Sequence, residues 1–325
     1  MRRREFLGVV GSVAVARPLA ARAEHQGKLP VVGELVSASP PHPFPNHFTR
    51  GLQSLGYSEG INITLDLRYS GGRSDRAAEI AHGFVRRGVD VIVAHFTPAV
   101  RAAMGATQTI PIVMAPAGAP LQSGFIDSLA RPGGNVTGLS AMEAELGGKR
   151  LQLLGELIPS LARVAVLAST TAVDPFSGPF VENLRLAATR KGVQLEPILI
   201  SGAGEFETAF AAMAKANAQA VIIQPLFDPD RAILVELASK HRLALMSNSR
   251  DTAAAGGVMS FSADFPALYE RAALYVDKII KGTKPANLPV EQPTKFLTVL
   301  NAKAARSLGL TVSPALLAQA DEVIE

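Results

Sequence analysis

Cysteine and tryptophan are both absent from the 325 residues. The first absence excludes a disulfide framework, thiolate-held zinc or iron–sulfur, a thiol nucleophile and a lipid-anchored N-terminal cysteine. Aromatic residues are scarce at 6% and charged ones at 18%, against 48% hydrophobic. That much apolar material fills real cores and excludes a disordered chain. The 28 Gly and 22 Pro turn the chain too often for a coiled coil. No stretch reaches the roughly 18 uninterrupted apolar residues of a membrane helix. Net charge is also nearly missing. The formal +4 belongs to residues 1–23, with five Arg and one acid, and the remainder balances at 27 basic and 27 acidic residues. Beyond residue 23 there is no global electrostatic case for nucleic acid or anionic lipid.

Catalytic and cofactor motifs are missing too. There is no G-x-S-x-G elbow, P-loop, HExxH or EF-hand loop. Gly202-Ala203-Gly204 opens a dinucleotide fingerprint, but Glu207 stands where its third glycine belongs. The six histidines form no ligand set; His42 and His47 are five apart, and a helical zinc pair wants a spacing of four. Asp127, Glu143, Glu145 and Asp174 are too scattered to name an acid–base pair. The expectation is a chain that is not an enzyme and holds no cofactor or metal.

The basic N-terminus reads as an export signal. Arg2-Arg3-Arg4 precedes an 11-residue apolar run, 6–16, and Ala21-Arg22-Ala23 is an A-x-A cleavage site that makes Glu24 the mature start. Arg3-Arg4-Glu5-Phe6-Leu7 is also similar to a twin-arginine signal. A periplasmic location follows.

From residue 31 onward, short apolar runs alternate with helix-length amphipathic stretches. Strands are expected at 31–37, 61–69, 89–94, 110–115 and 136–140, with helices between them. The order then restarts: helix 143–158, strand 163–168, helix 179–191, strand 193–201, helix 205–216, strand 220–224, helix 229–241 and strand 243–247. This predicts an α/β fold of two similar doubly wound, Rossmann-like lobes. Residues 28–142 form the first lobe, joined by part of the tail 284–325, and 143–283 form the second. Hinge crossings are expected near 140–145, 248–257 and 285–293. The tail reads as strand 256–263, helix 266–280, strand 294–300, and helices 302–308 and 314–323. Where strands hand over to helices, Thr97-Pro98 and Asp228-Pro229 read as N-cap and first helical residue.

Several segments resemble the substrate-binding proteins of ABC importers, in particular the subfamily whose members bind tryptophan or phenylalanine. They are Gly51-Leu52 with Leu55-Gly56-Tyr57 and Glu59-Gly60; Thr109-Ile110-Pro111-Ile112-Val113; Leu129-Ala130-Arg131-Pro132-Gly133-Gly134-Asn135-Val136-Thr137-Gly138; Lys149-Arg150-Leu151; and Leu288-Pro289-Val290-Glu291-Gln292-Pro293-Thr294-Lys295-Phe296. The resemblance implies a type I periplasmic-binding architecture closing by a hinge on a small molecule. It also implies delivery of that molecule to an inner-membrane ABC permease, by a chain acting as a monomer without nucleic-acid partners. The ligand expected is amino acid-like or carboxylate-bearing. A sensory module presenting ligand to a membrane receptor, or an exported α/β enzyme, are the alternatives.

In open parallel sheets, ligands sit beyond the carboxyl ends of the strands. That places Ser37, Ser39, His95, Phe96, Thr97, Ala117 and Ser140 on one wall, and Thr170, Leu226, Phe227, Asp228, Asn248 and Arg250 on the other. A ligand carboxylate suits the helix start at Pro98 with the Thr97 and Ser37 hydroxyls, or a clamp by Arg250. An ammonium suits Asp228, and Phe96 and Phe227 would bracket an apolar side chain. Family members often have Gly and Thr where His95 and Phe96 stand. Lys149 and Arg150 read as surface or inter-lobe contacts, and 131–138 as a tight turn fixing a lobe strand.

Overall fold

The computed structural model describes residues 29–325 apart from 171, 172 and 175. The expected leader 1–23 and its cleavage point lie outside the described residues. The first half of the chain forms β1 (Val31–Val36), α1 (Phe44–Ser54), β2 (Thr64–Tyr69), α2 (Ser74–Arg87), β3 (Val91–His95), α3 (Phe96–Ala106), β4 (Ile112–Ala117) and β5 (Val136–Ser140). The second half forms α4 (Gly147–Leu157), β6 (Arg163–Ser169), α5 (Ser177–Lys191), β7 (Gln194–Ile200), α6 (Phe206–Lys215), β8 (Ala220–Ile223), α7 (Arg231–Lys240), β9 (Ala244–Ser247), α8 (Arg250–Ala255) and β10 (Met259–Ala263). The tail adds α9 (Phe265–Ile280), β11 (Phe296–Asn301), α10 (Ala302–Ser307), α11 (Pro314–Gln319) and β12 (Glu322–Ile324).

Two sheets result. The first has the order β2-β1-β3-β4-β5 and is parallel throughout; the second has the order β12-β11-β10-β9-β8-β6-β7, with only the β10–β11 pair antiparallel. The central strands β3, β4 and β8 are buried along their whole length, because helices cover both faces. The edge strands β2 and β7 keep part of their surface in water. Helices α2 and α5 stop at Gly88 and Gly192, both left-handed C-caps with φ of +62° and +67°.

The chain passes between the lobes three times: after β5, between β10 and α9, and in the segment before β11. Two features depart from the expected domain boundaries. Helix α9, expected in the second lobe, packs on the first: Tyr269, Ala272, Ala273 and Val276 share a core with Val32, Val91, Val93 and Val113. The middle crossing accordingly falls at Ala263–Phe265 and not at 248–257, where α8 packs within the second lobe. The alternation of strand and helix cannot tell which sheet a helix returns to; only its apolar face finding an uncovered sheet decides that. The tail divides, with Leu288 and Val290 buried in first-lobe cores and β11 and β12 extending the second sheet. The expected last helix is cut short at Gln319, and residues 322–324 pair with β11.

The crossings are tied down. Thr137 donates its hydroxyl to the Leu288 carbonyl at 2.6 Å, and the Glu291 amide donates to Gly138 at 3.1 Å. The two longest motif segments, 131–138 and 288–296, thus bind each other. Lys295 pairs with Asp264 at 2.9 Å, joining the second and third crossings. Of the two expected places for Arg150, surface or inter-lobe contact, burial excludes the surface; its Nε donates to the Phe261 carbonyl at 2.9 Å and its guanidinium pairs with Glu143 at 2.5 Å.

Candidate functional site

Strand order locates the site. The first sheet reverses direction of winding between β1 and β3, and the second between β6 and β8. Such switch points leave a crevice at the carboxyl ends of the strands. The two crevices lie toward each other. Ser74, at the start of α2, donates to the Val173 carbonyl of the second lobe at 3.5 Å. Gly118, just past β4, lies so close to the Phe176 ring that an added β-carbon would sit 2.8 Å from it. His42, in the loop after β1, feels the charge of Arg231 at the start of α7.

At the first switch point β1 contributes Glu34, the residue after the strand is Ser37, and β3 contributes His95. Glu34 Oε2 and His95 Nε2 are 3.3 Å apart, and both residues are buried. Tyr269 of α9 lies on the His95 ring, with centroids 5.1 Å apart. Its hydroxyl is held well above the ordinary phenol range, by burial first and by the Glu34 charge second. Phe96 follows His95 at φ +70°, a left-handed conformation that costs a residue with a β-carbon about 1–2 kcal/mol. Its ring meets His42 edge-on at 5.6 Å, and Phe44 stacks on Tyr269 at 4.6 Å. Burial, then the neighbouring His95 and Arg231 charges, hold the His42 imidazole down to about 4, so it is neutral at pH 7. Glu34 Oε2, Ser37 Oγ, His42 Nδ1, both His95 ring nitrogens and the Tyr269 hydroxyl are buried without a hydrogen-bond partner.

Among the described residues, the buried polar groups of the second switch point bond to one another. Gln224 Oε1 accepts from the Ser169 amide at 2.7 Å and from the Ser177 hydroxyl at 3.1 Å, while its Nε2 donates to Asp174 at 2.7 Å. Asp174 also accepts from the Phe176 amide at 3.0 Å, and burial pushes its carboxyl up to about 6. Nearby, the Asp228 carboxylate accepts from the Thr252 hydroxyl, and Arg231 donates to the Asp228 carbonyl at 3.2 Å while lying 3.7 Å from its carboxylate.

Among the candidates read from the sequence, Ser37, His95 and Phe96 meet at the first switch point. Ser39 is exposed beside Gly71. Thr97 is not a cap: α3 begins one residue earlier, and the Thr97 hydroxyl accepts from the Gly118 amide at 3.1 Å. Nor is Asp228, since a 3-10 turn spans Pro225–Asp230 and α7 begins at Arg231. Ala117 is a buried strand end whose carbonyl accepts from Ala141. Ser140 caps the turn of the first crossing by accepting from the Met142 amide at 3.1 Å. Thr170 follows β6, and its carbonyl accepts from the Val173 and Asp174 amides. Leu226 is half-buried in the 3-10 turn, and Asn248 lies against the Glu143 carboxylate. Two candidates are committed elsewhere. Phe227 is a core residue, edge-on to Phe206 at 5.5 Å. Arg250 forms a bidentate pair with Glu322 at 2.6 and 2.7 Å, which pins β12. Sequence reasoning passed over Glu34, whose signal was a lone acid inside a buried apolar run. It also passed over His42, Phe44, Arg231 and Tyr269, which only the tertiary fold brings together.

Two doubly wound lobes, crossed three times by the chain and meeting at their switch points, define a two-lobed binding protein of the type I periplasmic architecture. The profile of the ABC transporter substrate binding protein family matches residues 45–324, and the chain belongs to that family. It is therefore a binding protein and not an enzyme. It is 25% identical over 264 residues to a tyrosine-binding protein of Clostridioides difficile, covering 81% of this chain and 75% of the other. A domain from Streptococcus pneumonia crystallised with L-Trp superposes with a TM-score of 0.86 at 24% identity, over 91% of this chain and all of that one. A conserved domain protein from Vibrio cholerae gives 0.85 at 26% identity, with the same coverage. No helix among the described residues is long and apolar enough to cross a membrane.

Proposed function

We propose that this chain is the exported, periplasmic receptor of an ABC importer, which closes on one amino acid between its lobes and delivers it to an inner-membrane permease. The observation that carries the reading is the facing pair of switch points: a cluster of aromatic rings bordered by unpartnered polar atoms opposes the Asp228–Arg231 charges. An amino acid matches that arrangement, with its carboxylate and ammonium toward the charged lobe and its side chain toward the other. The L-Trp bound by the pneumococcal domain and the tyrosine named for the clostridial relative support the same class. Export rests on the leader, with cleavage after Ala23. Closure would swing on the three crossings, with ligand contacts from both lobes selecting the closed state. The receptor acts as a monomer.

The test is a thermal-shift screen of the chain from Glu24 against amino acids, small carboxylates and sugars. Saturation at about 100 times the dissociation constant adds about 2.7 kcal/mol of stability. A saturable upward shift with amino acids, the compound being recovered unchanged, is the expected result. A shift with sugars alone removes the amino-acid reading, and turnover of a hit removes the receptor reading.

A further inference from the structure

A short stretch of the second lobe, between β6 and α5, reaches across to the first lobe and meets three of its elements. The Val173 carbonyl accepts from Ser74 of α2 at 3.5 Å, Asp174 feels the charge of Arg101 of α3, and the Phe176 ring lies over Gly118, just past β4. In the first sheet β4 neighbours β5, from which the first crossing leaves, whereas Ser74 follows the opposite edge strand β2. The contacts therefore run from beside the hinge to the far edge of the crevice. Gly118 is a notch with fixed walls: its amide donates to the Thr97 hydroxyl at 3.1 Å, and its carbonyl accepts from the Glu143 amide at 3.0 Å. A β-carbon there would lie 2.8 Å from the Phe176 ring, although Gly118 is not among the residues of positive φ. The ring, and not the backbone, is what requires glycine at this position. Phe176 is buried in one core with Phe180 of α5 and Ala119 of the first lobe. Its amide donates to the Asp174 carboxylate, Asp174 takes the Gln224 side-chain amide, and Gln224 holds the Ser169 amide and the Ser177 hydroxyl. Burying a carboxyl and an amide is costly unless they bond, and these bond to each other and to the backbone that carries Phe176.

We infer that Phe176 is a positioning residue for closure: the Asp174–Gln224 network mounts its ring as a stop that seats in the Gly118 notch, and this seat sets the closed arrangement of the lobes whatever ligand lies between them. The ring belongs to one lobe and the notch to the other, so the contact stabilises the closed form alone. Observed affinity scales with the fraction of protein that is competent to bind. The seat therefore strengthens the binding of every ligand by the same factor and leaves their ranking alone. The inference rests on the closure proposed above, not on the ligand class proposed there.

The chain has no cysteine, so spin labels on E79C of α2 and E236C of α7, both exposed positions, report the distance between the lobes without background. The test compares wild type, G118A, F176L and G118A/F176L, without ligand and with an equimolar mixture of the twenty amino acids, and titrates each amino acid by calorimetry. G118A should stay folded, because opening the lobes relieves the clash, but it should lose the short-distance population. It should also bind every amino acid that wild type binds at least about tenfold more weakly, in an unchanged order. F176L should shift in the same direction. The double variant should lose less than the product of the two single losses, because leucine leaves room for the new β-carbon. A G118A variant that closes and binds like wild type overturns the inference. So does a G118A variant that fails to fold, a changed order of affinities, or losses that simply multiply. If no amino acid shortens the wild-type distance, the amino-acid reading falls and the ligand-free distances decide this inference. A short-distance population present in wild type and absent from G118A upholds it, and identical distributions overturn it.

Discussion

Single residues carry the chemistry of this cleft, and one of them carries its pH dependence. Asp174 is buried, and its carboxyl is pushed up to about 6 from an ordinary 3.8. The folded protein therefore holds that proton at pH values where the unfolded chain has lost it. Stability from this residue is full below about pH 4 and falls as pH rises through about 6. The loss is about 3 kcal/mol for a shift of this size. Chemical denaturation of wild type and D174N at pH 4 and at pH 7 should show this decline in wild type and its near-absence in the variant. A residue of this kind is illegible beforehand, because Asp174 in the sequence is one acid among 28. Arg250 makes the converse point: it stood at a promising position and is spent on Glu322, 72 residues away in sequence. Phe96 and Ser37 were readable because chain position at a strand end nearly dictates a place at the crevice. Whether a side chain at such a place faces a core, as Phe227 does, depends on neighbours the sequence does not order in space.

At the scale of elements, close backbone approach decides which strands and helices meet. Gly138 sits in β5 at φ +125°, and an added β-carbon would lie 2.5 Å from the Met114 carbonyl oxygen and 2.6 Å from its amide nitrogen in β4. G138A must push β5 away from β4 and, with it, the 288–291 segment bonded alongside. A loss of several kcal/mol is expected, beyond the ordinary 1 or so for a strained alanine. Urea denaturation would measure it, and a cost under about 1 kcal/mol would refute the packing argument. The order of the elements was largely legible, since buried apolar runs bounded by Gly and Pro are strands wherever they pair. Their ends were less so: α3 begins at Phe96 and α7 at Arg231, because tertiary contacts claimed Thr97 and Asp228 before either could cap a helix. Helix α9 was read correctly as a helix and assigned to the other lobe, because its apolar stripe fits any bare sheet face.

For the molecule as a whole, the hinge is where a buried ion pair matters. Arg150 ties Glu143, on the first crossing, to the Phe261 carbonyl in β10 of the second sheet. Burial pulls the Glu143 carboxyl up, and the Arg150 charge opposes it. R150M strands that carboxyl in the interior and should cost about 3–5 kcal/mol in denaturation experiments, more at pH 8 than at pH 5. The double variant E143Q/R150M should recover part of the loss, and failure to do so would remove the pairing as its cause. The return of α9 has a further consequence for how the polypeptide comes into being. The face of the first sheet bearing Val32, Val91, Val93 and Val113 shares its core with α1, through Phe48 and Leu52, and with residues 268–276 of α9. A nascent chain that has emerged as far as β10 thus has every strand of its first sheet, but an apolar face that α1 covers only in part. The first lobe to be synthesised is not the first able to finish folding, and it stays dependent on whatever shields that face until nearly the last of the chain is made.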